Sequence, residues 1–181
     1  MQGIRRMLAR IAMFAALAAA AFPVLALDGV AAEFGRNGKY EMARIGAQWQ
    51  WQQRWLDSGK RHIGGYWDLS AAHWSADVPA GLNDSLVDIG FTPTLRWQAN
   101  DLQGFYLEAG IGLHFLSHTA LGGRRFSTAL QFGDHLGLGY RFGAKGAYDL
   151  SYRFQHHSNA DIKRPNAGMD FHQIRLQYWF R

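Results

Sequence analysis

The chain of 181 residues contains no cysteine, so neither a disulfide framework nor thiolate chemistry is available to it. That absence fits a bacterial exported protein held together by hydrogen bonding. Proline is also scarce, at four residues. Beyond the N-terminus there is no apolar run of the roughly 20 residues that a spanning helix needs. No cluster of Lys and Arg interleaved with aromatic residues occurs either, which excludes a nucleic-acid partner.

What the N-terminus does carry is a leader. Arg5, Arg6 and Arg10 precede an apolar run from Ile11 to Leu25, and Val24-Leu25-Ala26 supplies small residues suited to signal peptidase. Residues 1–26 are therefore expected to be a secretory signal and residues 27–181 the mature protein. Losing the three arginines lowers the formal charge from +5 to +2, so the basic balance of the whole chain does not describe the mature one.

The remainder is rich in glycine, with 21 in the chain, and in aromatic residues, at 14%. Both suit strands and tight turns. Alternation with period two recurs along the chain. Ala43, Ile45, Ala47, Trp49 and Trp51 alternate with Arg44, Gly46, Gln48, Gln50 and Gln52. Similar apolar series start at Ile63, Val87, Phe105, Leu130, Tyr148 and Ile174, and a short first strand near 29–35 brings the number to eight. Arg44, Asp68, Asp88, Arg96, Glu108, Arg141, Asp149, Arg153 and Arg175 all fall on the non-aromatic face. A soluble lipocalin-type barrel would need an apolar interior and could not hold these charges. The pattern predicts an all-β fold, an eight-stranded antiparallel transmembrane β-barrel of the bacterial outer membrane. Connections at 54–60, 99–103 and 143–146 are expected in the periplasm, and those at 76–84, 117–127 and 158–168 outside the cell.

Polar residues that interrupt the lipid-facing series are costly there and so mark function. Continuing outward from Phe154 reaches His156 and Ser158, and reading back from Ile174 reaches His172 and Asp170. A serine hydroxyl needs an imidazole to take its proton, and the imidazole needs a carboxylate to fix its tautomer. His156, Ser158 and Asp170 supply that set. Asn159 and Asn166 are candidate donors to an oxyanion. Asp134, which interrupts Phe132, Leu136 and Leu138, is placed opposite about Gln155 and is a candidate supporting acid. The competing reading is a polar loop at 158–168, with strand-end histidines at headgroup level. No metal or cofactor is expected, since the outward histidines lack a matching ligand set. His62, His73, His114, His118 and His135 read as lining or surface groups.

The stretch His156-His157-Ser158-Asn159-Ala160, followed by Pro165-Asn166-Ala167-Gly168, resembles the His-x-Ser-Asn-Ala and Pro-Asn-x-Gly signature of the PagL family of outer-membrane lipid A 3-O-deacylases. Gly65-Tyr66-Trp67-Asp68 and Glu108-Ala109-Gly110-Ile111-Gly112 add to the similarity. The resemblance implies a serine esterase that removes the ester-linked 3-hydroxyacyl chain at position 3 of lipid A in lipopolysaccharide. His156 and Ser158 match its catalytic pair and Asn166 its oxyanion residue. Where the family has a glutamate, this chain has Asp170, one methylene shorter. The partners implied are lipopolysaccharide and outer-membrane lipid; a homodimer is compatible with the sequence and not specified by it. The alternatives are an outer-membrane phospholipase or acyltransferase barrel, or a non-enzymatic adhesin-type barrel.

Overall fold

Strands that alternate a greasy and a wet face close on themselves when both faces must be satisfied and no edge can be left in lipid. The computed structural model describes residues 26–180 and shows that outcome. The expected leader, residues 1–26, lies outside the described residues except for Ala26.

The barrel strands are β1 (Gly29–Asn37), β2 (Tyr40–Gln50), β3 (Arg61–Ala76), β4 (Ser85–Ala99), β5 (Gly104–Leu116), β8 (Leu130–Phe142), β9 (Tyr148–Ser158) and β10 (Met169–Trp179). Every neighbouring pair is antiparallel, and β1 closes the barrel against β10. The two-residue strands β6 (Ala120–Leu121) and β7 (Arg124–Arg125) form a small hairpin inside one connection, an element that the alternation did not reveal. The first hairpin turns on Gly38, at φ +59°, a conformation that glycine adopts without steric cost.

The expected faces are the observed ones. Ile89, Phe91, Leu95, Trp97, Leu107, Leu113, Leu138, Leu150, Ile174 and Leu176 are exposed on the outer wall, an apolar band suited to lipid. All nine charges assigned to the other face are buried inside, joined by Glu33 on β1. Arg44 bridges Glu33 at 2.8 Å and Asp68 at 2.7 Å. Arg96 bridges Glu108 and Asp149, each at 2.7 Å, and Arg153 reaches Glu108 at 2.6 Å. The Tyr66 hydroxyl accepts from Arg175 and donates to Glu108. Mutual pairing of this kind is what makes buried charge tolerable.

At the end carrying the longer connections, which is the extracellular end in such barrels, the interior changes character. Met42, Trp74, Leu86, Leu116, Phe126, Met169 and Phe171 pack there as one apolar cluster. The strands therefore run past the polar network into an apolar plug, and β3 extends to Ala76, beyond the segment that its alternation defined.

Because Glu108 serves both Arg96 and Arg153, Glu108→Ala leaves Arg96 with Asp149 alone and takes from the buried Arg153 its 2.6 Å partner, leaving only Glu33 at 3.7 Å. It is expected to destabilise the barrel by about 3–5 kcal/mol. Urea unfolding in detergent micelles, followed by tryptophan fluorescence, measures this; an unchanged midpoint would contradict the pairing account.

Candidate active site

Antiparallel register decides which outward residues of β8, β9 and β10 become neighbours. Asp170 lies directly opposite His156 in the β10–β9 pair, and Asp134 lies directly opposite it in the β8–β9 pair. His156 is therefore flanked by a carboxylate on either side, and Asp134 sits one residue nearer the imidazole than the expected position opposite Gln155. Ser158, two residues along β9, shares the face with His156 and pairs with Phe132. Below them on the same wall come Phe154, Tyr152 and Leu150, all exposed, so the site stands at the upper edge of the apolar band.

His156 Nδ1 and Asp170 Oδ1 are 2.5 Å apart. With a carboxylate at Nδ1, that nitrogen carries the proton and donates it, which leaves the Nε2 lone pair as the basic site. The pair is partly open, with side chains 40% and 41% exposed, so it meets material arriving at the outer wall. Among the described residues, no hydrogen bond joins Ser158 to His156. Asp134 is exposed and forms no hydrogen bond to His156.

The connection 159–168 is tied down by its own amides. The backbone N–H of Asn159 donates to Asn166 Oδ1 at 3.1 Å. A backbone donor can meet only the amide oxygen, so Asn166 Nδ2 is turned away with its two protons available. The Asn159 side chain is fully buried, and its Nδ2 donates to Phe126 O at 2.9 Å and Lys163 O at 2.7 Å. The two asparagines therefore differ: Asn159 is buried and ties the loop together, whereas Asn166 keeps its Nδ2 protons unused by that contact.

The neighbouring connection supports this loop through residues that sequence reasoning did not single out. Arg124 donates to the carbonyls of Ala167 and Gly168, at 3.2 and 3.0 Å, and Ser127 donates to Pro165 O at 2.7 Å. An arginine and a serine in a polar loop carry no local signal of such a role. His172, the other outward polar residue of β10, is tied to Tyr152, whose hydroxyl lies 2.6 Å from its Nδ1, and not to His156. His62, His114 and His135 face inward and are buried, whereas His73 and His118 are exposed.

Gly168 closes the site. It has φ +58°, and a Cβ there would lie 3.0 Å from His156 Cε1 and 3.1 Å from His157 O. Any side chain would strain the backbone and press on the imidazole. Gly168→Ala is expected to leave a closed, heat-modifiable barrel with any activity that depends on His156 at least about tenfold lower, the scale that misplacement of a reacting group imposes. Wild-type activity in that variant would show that the ring position is not set by this contact.

Comparison with known proteins agrees with the geometry. The family profile described as Lipid A 3-O-deacylase (PagL) matches residues 41–179. The lipid A deacylase PagL of Pseudomonas aeruginosa is 30% identical over 167 residues, covering 91% of this chain and 93% of that protein. The lipid A deacylase PagL of Bordetella bronchiseptica is 32% identical over 159 residues, covering 84% of this chain and 83% of that protein. A crystal structure of the outer membrane enzyme PagL superimposes with a TM-score of 0.75 at 26% identity, covering 84% of this chain and 99% of that one. An eight-stranded outer-membrane barrel with this likeness along most of its length belongs to the PagL family of lipid A 3-O-deacylases.

Proposed function

We propose that the chain is a lipid A 3-O-deacylase of the outer membrane, acting as a serine esterase through Ser158, His156 and Asp170. The observation that carries this reading is the His156–Asp170 hydrogen bond on the lipid-facing wall, beside a serine on the same face. An outward site at the upper edge of the apolar band suits a substrate that is itself a membrane lipid. The ester can reach Ser158 sideways from the outer leaflet while its acyl chains stay in hydrocarbon.

In this reading His156 Nε2 takes the Ser158 hydroxyl proton as Oγ bonds to the ester carbonyl carbon. The oxyanion that forms is met by Asn166 Nδ2 together with backbone N–H groups of the 159–168 loop. The bond to the sugar oxygen at position 3 then breaks, and His156 returns the proton to that oxygen as the alcohol leaves. Water attacks the acyl-enzyme with His156 again as base, releasing the 3-hydroxy fatty acid and restoring Ser158. Asp170 holds the imidazole tautomer and stabilises the imidazolium. Asp134 acts from the other side of the ring as a second negative charge. The leader at residues 1–26 directs export, and the barrel works either alone or as a homodimer.

Mass spectrometry of lipid A from cells expressing the protein tests the reaction. Loss of one 3-hydroxyacyl chain is expected, and its absence with Ser158→Ala. A gain of palmitate would point instead to an acyltransferase, and an active Ser158→Ala barrel would remove the serine mechanism. For the acids, Asp170→Asn is expected to lower kcat by about 10³- to 10⁴-fold, because the imidazole then takes the wrong tautomer. Asp134→Asn is expected to cost less than about tenfold alone and to lower the residual rate of Asp170→Asn further. Unchanged rates in both backgrounds would exclude Asp134 from the mechanism.

A further inference from the structure

His157 lies between the two proposed catalytic residues of β9 but points the other way, into the barrel. There it meets His114 of β5 and Asp88 of β4, and all three are at most 1% exposed. One ligand-type atom from each lies within 4.8 Å of the other two. His114 Nδ1 stands 2.9 Å from Asp88 Oδ2, and its Nε2 stands 3.5 Å from Thr92 Oγ1. The His157 ring is edge-on to His114 and to Trp74, each at 4.7 Å between centroids. No side chain among the described residues hydrogen-bonds to the His157 ring, whose polar contact is with the Met169 backbone. A buried imidazole facing another imidazole and a carboxylate, with at most one nitrogen met by backbone, has a ring nitrogen free to engage a ligand.

Two further features single out this cluster. The other buried carboxylates, Glu33, Asp68, Glu108 and Asp149, are all bridged to arginines of the interior network. Asp88 is bridged to a histidine instead. The chain also leaves room at this point: a Cβ on Gly90 would fall 2.5 Å from the His114 ring and one on Gly133 would fall 2.6 Å from it. Trp74 and Phe171 pack against the His157 ring from the apolar plug above and screen the cluster from the cell exterior.

We propose that Asp88, His114 and His157 form a binding site for a divalent cation of the zinc class inside the barrel. Two imidazoles and one carboxylate, with water as fourth ligand, are a donor set that zinc accepts and that the harder calcium and magnesium ions do not favour. Tetrahedral bonds of about 2.0–2.1 Å place ligand atoms about 3.4 Å apart, so His114 and Asp88 are near position and the His157 ring closes by up to about 1.4 Å. The Thr92 hydroxyl then orients His114 through its other ring nitrogen. Because the plug covers the cluster, the ion enters as the barrel closes during folding. Once bound, it fastens β9 to β4 and β5 directly behind His156 and Ser158. The site does not depend on the esterase reading, and it stands or falls separately.

The test uses the full barrel extracted from outer membranes in detergent without chelator, and the same chain refolded from denaturant with zinc or cobalt. Elemental analysis after gel filtration is expected to find about one zinc per chain. The cobalt form is expected to show the intense visible absorption of tetrahedral coordination. His157→Gln, His114→Gln and Asp88→Asn, each checked for a closed barrel by heat-modifiable gel mobility, are expected to lower metal retention at least about tenfold. A wild-type barrel that retains no zinc in either preparation and gives no tetrahedral cobalt spectrum overturns the proposal, as does equal retention in the folded variants. If a variant does not fold, the wild-type metal content and cobalt spectrum decide by themselves.

Discussion

A backbone that crosses hydrocarbon finds no water for its N–H and C=O groups, and every other feature of this protein follows from how that demand is met. Closure of β1 on β10 pairs the last edge, so the wall is continuous. Once closed, a wall of alternating residues has no choice but to send one set into lipid and the other into a narrow lumen. The lumen side is where Arg44, Arg96, Arg153 and Arg175 meet Glu33, Asp68, Glu108 and Asp149 at contact distance. Such pairs need not add net stability over an apolar filling. They let a barrel too small for a water channel be both polar inside and filled.

The same wall positions the chemistry. Because β8, β9 and β10 are locked in register, Asp134, His156 and Asp170 form a row across three strands without any loop having to place them. A site built on paired strands is held more tightly than one built on loops. Beyond the strand ends, the loop holds the Asn166 side chain against the Asn159 backbone. That loop is held by Asn159, Arg124 and Ser127, so its geometry depends on the 117–129 connection as much as on its own sequence. Above the site the lumen turns apolar, and the interior behind it carries the cluster of Asp88, His114 and His157, which stands apart from the arginine network.

Much of this was legible in the sequence because period-two alternation reports faces directly. Nine charges assigned inward are inward. Glu33 escaped because the first strand was recognised only as a short segment, too brief for its faces to be assigned. The outer halves of the strands were less legible. There the inward residues become Trp74, Leu86 and Phe171, so a rule of apolar outside and polar inside no longer applies along the whole strand. Register was legible to within one residue, the difference between Asp134 facing Gln155 and facing His156. Contacts between separate loops, such as Arg124 with Gly168, and clusters drawn from three strands leave no trace in spacing. They exist only once closure has fixed which strands are neighbours.

The central claim is that a serine on the lipid-facing wall is activated by the imidazole beside it. Labelling the folded barrel in detergent with a long-chain fluorophosphonate, followed by peptide mass spectrometry, tests it most directly. The account predicts a single covalent adduct on Ser158, lost when His156 is replaced by alanine in a barrel that still closes. No adduct on the wild-type barrel, or labelling of a different serine such as Ser127, would contradict it.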